Sequence, residues 1–395
     1  MSKNFKFSLG ICLCNLIEHY DTALYGFLAP FLAPYFFPAE DPLTGLIGAY
    51  AVIPVGMLSR PFGAWFFGWL SERKGLLFSL RVSLIGVGLG SLLMAFIPTY
   101  ASVGILAPFL LCLTRMFQNF MAAGELMGGG QLLMQAVPEA KRDLASGLFN
   151  ATTILGLMLA SFVVYQLSHS WRLMYLMGAF MSFFVLWLRG DRKPITISKK
   201  PFIQELREHR RGVFSVVIGS GFGYASYVIA LVLMNGFIPL ITDISKEEMV
   251  KINTYLLLLD GLLLPLFGWL AAKVNRNSQM VVAAVLVLLL AGPLLMCLKG
   301  ASLLLVIGVR AIFVSFGVLY FAPFHAWASD RLPSRSLASF SYAIGTQIFG
   351  GPCAFISLFC YQVTGVLVSV MWYWMALAFL TLIALLPTRS LRCDA

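Results

Sequence analysis

Ionisable side chains stand inside otherwise apolar stretches of this chain, where their types and spacing could move protons. Glu18 and Asp21 are one helical turn apart, and Tyr25 follows one turn later, so the three share a helix face. Two later apolar stretches carry Arg60 and Arg115. A carboxylate beside a guanidinium ionises readily, whereas a desolvated one keeps its proton. A change between these environments would couple proton transfer to a movement of the protein.

The depth of these groups follows from the rise of about 1.5 Å per residue in a helix. Glu18, Asp21, Arg60 and Arg115 fall near the middle of their apolar stretches, whereas Glu125 lies roughly 15 Å beyond Arg115. An ionisable group in the middle of a bilayer costs about 2.5–3.5 kcal/mol and usually marks a functional pathway. The alternative is a static network of buried ion pairs that fixes helix packing.

The composition requires a membrane environment around these charges. Of the 395 residues, 59% are hydrophobic and 11% are charged, against roughly 45–50% and 25% in soluble proteins. The apolar runs are continuous rather than alternating, which predicts helices and excludes a barrel. We predict an all-α integral membrane protein with twelve transmembrane segments. They lie at about 7–33, 46–70, 76–97, 102–132, 146–167, 172–188, 213–241, 252–272, 278–298, 301–327, 338–361 and 366–386.

The basic residues report orientation rather than nucleic-acid binding, because they sit in short loops between the apolar runs. Placing the N-terminus inside puts 20 of the 28 Lys and Arg residues on the inner side and 4 in outer loops. This bias predicts a multi-pass protein of a bacterial-type cytoplasmic membrane with both termini in the cytoplasm. Membrane lipid is then one expected partner, and nucleic acid is not expected to be another.

A polar linker divides the chain into two halves with similar residues at matching positions. We predict an N-terminal six-helix bundle at 1–188, a cytoplasmic linker at 189–212 and a C-terminal six-helix bundle at 213–395. Similar offsets between matching residues favour a duplicated half. The matching pairs are Gly68 and Gly268, Arg142 and Arg335, and Arg115 and Arg310, at offsets of 200, 193 and 195 residues. The second half carries only Asp260, Arg310 and His325 as intramembrane ionisable groups.

No metal site or cofactor is predicted. Cys12 and Cys14 are too close together for the usual zinc spacing. The glycine run at 128–130 follows no strand, so it does not predict a phosphate-binding loop.

Several motifs resemble those of one transporter family. The stretch Gly68-Trp-Leu-Ser-Glu-Arg-Lys-Gly75 is similar to the loop between helices 2 and 3 of the major facilitator superfamily, G-x-L-a-D-R-x-G-R-R. Glu72 stands where that motif has aspartate, and two leucines follow Gly75 where it has basic residues. The N-terminal half resembles the metabolite:proton symporter branch, which includes transporters of proline and betaine, α-ketoglutarate, citrate and shikimate.

Three stretches carry the resemblance to this branch. Residues 15–26, NLIEHYDTALYG, are similar to N-x-x-E-W-Y-D-F-x-x-Y-G of its first helix, with His19 in place of the aromatic residue. Residues 59–63, SRPFG, are similar to A-R-P-x-G of the second. Residues 115–128 are similar to R-x-x-Q-G-x-x-x-G-G-E-x-x-G of the fourth, with Asn119 in place of a glycine.

The resemblance implies two six-helix bundles around a central cavity, a rocking mechanism and a monomer. It assigns proton or substrate-amine roles to Glu18, Asp21 and Glu125, within a candidate site that also contains Tyr25 and Gln118. Arginines would neutralise a substrate carboxylate; these are Arg60, Arg115 and Arg310. The cytoplasmic gate would contain Gly68, Glu72, Arg73 and Gly75. The expected cargo is a small carboxylate or zwitterion.

Other function classes remain open at this point. A uniporter or exchanger would use the same fold without proton coupling. A transport-derived sensor or accessory protein would bind the ligand without moving it. A membrane-embedded enzyme is disfavoured, because the apolar stretches contain no HExxH motif or Ser-Lys dyad at helical spacing. The sequence therefore predicts a non-enzymatic secondary active transporter, most simply a proton symporter.

Overall fold

The fold is built from α-helices joined by short connections. The computed structural model describes residues 3–124, 142–167, 170–188, 202–332 and 335–385. Its helices in the first half are α1 (Lys3–Phe36), α2 (Pro42–Met57), α3 (Arg60–Lys74), α4 (Leu76–Phe96), α5 (Tyr100–Val103), α6 (Leu106–Ala122), α7 (Arg142–Leu167) and α8 (Trp171–Leu188). The remaining helices are α9 (Phe202–Glu208), α10 (Arg210–Tyr227), α11 (Met234–Ile241), α12 (Lys246–Val274), α13 (Arg276–Met296), α14 (Leu303–Phe321), α15 (Phe324–Arg331), α16 (Arg335–Ile344), α17 (Cys353–Thr364) and α18 (Ser369–Leu385).

Many of these helices could cross a membrane. In the described part of the chain, seven helical runs are long and apolar enough to span one, and four of them join adjoining helices of this set. Two more apolar helices, Arg81–Phe96 and Ser369–Leu385, are shorter. Each of the twelve predicted segments contains helix, so the predicted all-α membrane fold is confirmed.

Prolines divide two of the predicted segments. Pro61 has no N–H to donate to the carbonyl of Met57, and α2 ends at that residue. The predicted segment 46–70 is therefore two helices, α2 and α3. Pro323 likewise ends α14, so that the segment 301–327 is also divided. The carbonyl oxygen of Leu319, four residues before Pro323, accepts a hydrogen bond from Gln279 Nε2 instead, at 3.0 Å.

Two segments of the second half contain a wider, π-helical turn. One spans Val228–Leu233 between α10 and α11, and the other spans Gly345–Gly350 between α16 and Cys353 at the start of α17. Such turns free backbone groups from the regular helical ladder and often occur at functional sites.

The two halves pack together along α7 and α12. A Cβ added to Gly147 of α7 would lie 2.7 Å from the carbonyl oxygen of Leu264, and one added to Gly268 of α12 would lie 2.8 Å from that of Asp143. Small residues at these points let the two backbones approach closely, as is common between membrane helices.

Contacts between the halves also occur at both ends of the described bundle. At the end that we call the basic end, where α3, α7, α13 and α15 carry basic residues, Ser146 donates to the carbonyl of Ala322 at 2.8 Å. At the opposite end Lys246 donates to the carbonyl of Pro30 at 3.3 Å. Tyr50 also donates to the carbonyl of Val232 at 2.9 Å. The two halves therefore touch at both ends of the described bundle.

The predicted linker at 189–212 is described only from residue 202 onward, where it forms the short helix α9. Residues 189–201 lie outside the described residues. The domain limits at 188 and 212 stay predictions.

Candidate functional site

Asp21 lies at the centre of a polar cluster in the first half. Ser91 of α4 donates a hydrogen bond to Asp21 Oδ1. Gln118 Nε2 of α6 donates to Asp21 Oδ2 at 3.2 Å, and also to Ser91 Oγ at 3.2 Å. An added side chain at Gly90 would collide with Gln118 Cγ. The glycine therefore allows Gln118 to reach the acid, and three helices converge on one carboxylate.

Arg115 joins this cluster through Gln118 rather than by a direct ion pair. Arg115 NH1 donates to Gln118 Oε1 at 2.8 Å, and its guanidinium lies 4.8 Å from the centre of the Tyr25 ring. Tyr25 is held by its own hydrogen bond to the carbonyl of Ala49, at 2.8 Å. Arg115 Nε is buried and has no hydrogen-bond partner among the described residues. This guanidinium retains capacity to donate to an anion.

Arg60 is anchored next to the cluster on α3. Its Nε donates to Asn119 Oδ1 at 2.8 Å, and its NH2 lies 3.5 Å from Thr22 Oγ1 of α1. Asn119 is held in turn by donating to the carbonyl of Arg115 at 2.9 Å. Asn119, which stands where the similar motif has a glycine, therefore positions Arg60.

Glu18 is buried on the same helix as Asp21 and faces the second half. Tyr224 and Tyr342 lie within electrostatic range of both Glu18 and Arg60. These phenols come from α10 and α16, so the polar region of the first half reaches the interface between the halves.

The structure thus brings together six of the eight predicted site residues within the first half. Their exposed fractions are low, from 0% for Tyr25 to 9% for Glu18. The six are Glu18, Asp21, Tyr25, Arg60, Arg115 and Gln118. Glu125 lies outside the described residues, and its role stays a prediction.

Arg310 is separate from this cluster, because all its recorded hydrogen bonds stay in the second half. Its NH2 donates to Asn253 Oδ1 at 2.7 Å, to Asn235 Oδ1 at 2.8 Å and to the carbonyl of Ala230 at 3.2 Å. Its NH1 donates to the carbonyl of Met249 at 3.2 Å. The Ala230 carbonyl belongs to the π-helical turn, so Arg310 ties that turn to α12.

The predicted gate motif is only partly described. The side chain of Glu72 and the surroundings of Gly68 lie outside the described residues. The guanidinium of Arg73 lies 4.7 Å from the centre of the Trp69 ring. Gly75 has a φ of +88°, a conformation that favours glycine and lets the chain turn from α3 into α4.

A charged cluster at the basic end was not predicted from the sequence. Arg276 of α13 pairs with Asp143 of α7 at 3.0 Å and with Asp330 of α15. Asn150 Nδ2, two turns further along α7, donates to the carbonyl of Phe321 at 3.1 Å. The contacts of Asp143 and Asn150 join the halves at the basic end. A sequence signal existed, because all three charged residues flank predicted segments, but it did not show that they meet.

Ser91 and Asn119 were also missed as members of the site. Both are neutral residues in apolar helices, where serine and asparagine often pack between helices without a functional role. Only the rotation of α4 and α6 about their axes brings them to Asp21 and Arg60.

A cavity of about 170 Å³ lies away from these residues, at the opposite end of the bundle. Its lining residues are Pro34, Tyr35, Pro38, Thr99, Tyr100 and Ala101. The side chains of the polar cluster do not line this cavity.

Comparison with known proteins identifies the family. Residues 11–355 match the Major Facilitator Superfamily. The chain belongs to this superfamily. It is 25% identical over 387 residues to the α-ketoglutarate permease of Escherichia coli strain K12, covering 91% of this chain and 88% of that protein. It is 27% identical over 391 residues to a citrate-proton symporter of Klebsiella pneumoniae, covering 92% and 87%.

The fold is also shared with a solved transporter of this superfamily. The xylose transporter XylE from E. coli, in a partially occluded inward-open conformation, superposes with a TM-score of 0.73 over 97% of both chains, at 13% identity. This similarity shows the fold. The chain is an α-helical membrane transporter and not an enzyme, as the sequence predicted.

Proposed function

We propose that this transporter moves a small carboxylate, or a zwitterion that contains one, together with protons. Asp21 is the proposed proton-coupling acid, and Arg115 is the proposed ligand of the substrate carboxylate. The two relatives named above are a permease for α-ketoglutarate and a symporter of citrate with protons, which supports this class of cargo.

The observation that carries the proposal is the Gln118 bridge between an acid and an arginine. Gln118 donates to Asp21 with its amide nitrogen and accepts from Arg115 with its oxygen. A substrate carboxylate that binds Arg115 would compete for the guanidinium, because a charged carboxylate can accept two parallel hydrogen bonds from it, whereas the amide oxygen of Gln118 is neutral. Gln118 would then shift, and the hydrogen bonds of Asp21 would change with it.

This bridge links substrate binding to protonation without a direct ion pair. When Gln118 and Ser91 both donate to Asp21, they stabilise its carboxylate form. When Gln118 is withdrawn, the buried carboxylate is left with fewer donors and the neutral acid is favoured. Binding of the anion and binding of the proton would therefore favour each other, which is the requirement for symport.

Transport would alternate between states that open at either end. The contacts of Arg276 with Asp143 close the basic end, and those of Lys246 with Pro30 close the opposite end. Breaking one set while keeping the other would expose the site to one side at a time. We assign the basic end to the cytoplasm from the distribution of Lys and Arg in the sequence, with both termini on that side.

The remaining assignments extend the proposal. The chain would act as a monomer in the cytoplasmic membrane, with six-helix bundles at 1–188 and 213–395 joined by the linker at 189–212. Glu18 and Glu125 would carry further protons or bind a substrate amine, and Arg60 would contribute positive charge.

The test is uptake of radiolabelled α-ketoglutarate, citrate, proline and betaine by proteoliposomes that contain the purified full-length protein. An imposed pH gradient, acidic outside, should drive accumulation of at least one of them. A proton ionophore should abolish that accumulation. Uptake that is unaffected by the ionophore would indicate a uniporter or an exchanger and would contradict proton coupling.

The role of Arg115 is tested in the same vesicles. We expect Arg115→Ala to abolish accumulation of the transported acid. Arg172→Ala is a matched control, because Arg172 lies outside the site, stacked on Trp171 and bound to the carbonyl of Ile97. Unchanged uptake and affinity in Arg115→Ala would refute the assignment. Binding without any uptake by the native protein would instead support a sensor.

A further inference from the structure

Asp260, in the middle of α12, is a buried acid to which the proposed mechanism assigns no role. Its exposed fraction is 0%. Tyr227 donates a hydrogen bond to its Oδ1 at 3.4 Å, which is long for a bond between two oxygens. Its Oδ2 has no hydrogen-bond partner among the described residues. A carboxylate so poorly solvated is unfavourable, and the neutral acid suits this setting better.

The charged groups of the surrounding helices lie far along the axis from Asp260. Arg310 of α14 binds Asn253, two turns before Asp260 on α12 and roughly 10 Å away along the axis. Asp143 of α7 approaches Gly268, two turns after Asp260, and is paired there with Arg276 of α13. From α11 the nearest polar side chain described is the neutral Asn235, which binds Arg310. From α10 it is Tyr227. No described cation pairs with Asp260.

Two tyrosines lie on the side of Asp260 that faces the first half. Tyr227 lies within electrostatic range of Tyr342 of α16. Tyr342 in turn lies within range of Glu18, and its ring centre is 5.8 Å from that of His325.

We propose that Asp260 is a second proton-binding acid of the transporter, placed in the C-terminal half. The neutral acid releases a proton and becomes a carboxylate, and it regains a proton on return, so no other reactant is needed. Tyr227 is a positioning residue that holds Asp260. This proposal rests on proton-coupled transport as proposed above, but its first test does not.

The first test is infrared difference spectroscopy of the purified full-length protein between acidic and alkaline pH. We expect a carbonyl band of a protonated carboxyl group that shifts on ¹³C labelling of aspartate and is absent in Asp260→Asn. Tyr227→Phe leaves the native acid in place and removes its hydrogen-bond donor, so the same band should shift. Asp21→Asn is the control and should leave this band in place. A spectrum that Asp260→Asn and Tyr227→Phe both leave unchanged would overturn the proposal.

The second test is transport of α-ketoglutarate or citrate in proteoliposomes. A pH gradient of one unit supplies about tenfold accumulation for each coupled proton. We expect Asp260→Asn to lose at least this factor and to retain exchange of labelled for unlabelled substrate without a gradient. Loss of both activities in folded protein would mean that Asp260 binds substrate, and full retention of both would mean that it is structural. If the native protein transports neither acid, the proposed class of cargo is refuted. The infrared result still shows whether Asp260 binds a proton.

Discussion

Arg115 and Arg310 occupy matching positions in the two halves of the chain, 195 residues apart, but their surroundings differ. Arg115 makes one recorded side-chain hydrogen bond, to Gln118, and stacks on Tyr25. Arg310 donates to four oxygen atoms, all of them neutral acceptors in its own half. Gln118, the partner of Arg115, also donates to the acid Asp21, whereas no described acid pairs with Arg310.

This difference indicates a division of labour after duplication. Among the described residues the Nε of both arginines lacks a hydrogen-bond partner, but Arg115 makes one hydrogen bond and lies beside an acid, which suits binding and release of an anion. The second half uses its arginine to hold a π-helical turn against α12, which suits a rigid role. We therefore expect substitutions at the two positions to affect different properties, and each prediction below tests that expectation.

The largest effect is expected at Asp21. Asp21→Asn removes the proposed proton while keeping a group that can bind Ser91 or Gln118. Accumulation driven by a pH gradient should fall by about tenfold or more for each unit of the gradient. Exchange of labelled for unlabelled substrate should persist, because it requires no net proton movement.

Asp41→Asn is the matched control for this variant. Asp41 is an exposed acid of the same half that caps α2 by accepting from the backbone N–H groups of Leu43 and Thr44. Hydrogen bonds from Thr44 and Leu43 hold the pKa of Asp41 below its usual value. Asparagine preserves a capping oxygen, so uptake should be unchanged. Equal loss in both variants would show that the effect of Asp21→Asn is not specific.

The next effect concerns stability and distinguishes the second half. Arg310→Met should lower the free energy of unfolding by about 2 kcal/mol, since interhelical hydrogen bonds in membranes average roughly 0.6 kcal/mol each. Arg115→Met, which removes a single hydrogen bond, should cost less. Unfolding in detergent followed by circular dichroism measures both. A larger loss in Arg115→Met would contradict the structural role of Arg310.

A smaller effect is expected at Tyr25, which lies beneath the guanidinium of Arg115. Tyr25→Leu removes the cation–π contact, worth about 1 kcal/mol, and should weaken substrate affinity by roughly fivefold. Tyr25→Phe keeps the ring and loses only the hydrogen bond to Ala49, so it should stay closer to the native affinity. Equal affinities in the two variants would exclude a contribution of the ring.

The smallest effect is expected at the basic end. Asp143→Asn weakens the pair with Arg276, whose side chain is 23% exposed, so the loss should be about 1 kcal/mol or less. A cysteine introduced at Asn150 should then react a few times faster with a membrane-impermeant thiol reagent added from the basic end. Asp330→Asn is the control, because Asp330 pairs with Arg276 within the second half. Slower labelling in Asp143→Asn would contradict a closing role.

The sequence was informative wherever charge stood in an apolar helix. The spacing of Glu18, Asp21 and Tyr25 on one face, and of Arg115 and Gln118 on another, predicted the members of the cluster because intramembrane charge is costly. It did not predict the bridge through Gln118, since helical spacing does not define how neighbouring helices rotate about their axes.

Other features of the structure were harder to predict from the sequence. Pro61 and Pro323 indicate where two helices end, but the apolar runs continue past both prolines, so each run was predicted as one helix. Asp260 was visible as an intramembrane acid, but its hydrogen bond from Tyr227 depends on how α10 and α12 are placed in the bundle. The different roles of Arg115 and Arg310 could not be predicted, because their identities match and only their neighbours differ.

The most direct test of this division of labour compares Arg115→Lys with Arg310→Lys. Both variants keep the charge and lose the planar fork of the guanidinium. We expect Arg115→Lys to raise the KM for the transported acid with little change in Tm, and Arg310→Lys to lower Tm with little change in KM. An equal rise in KM in the two variants would contradict the proposal that only the first half binds the substrate carboxylate.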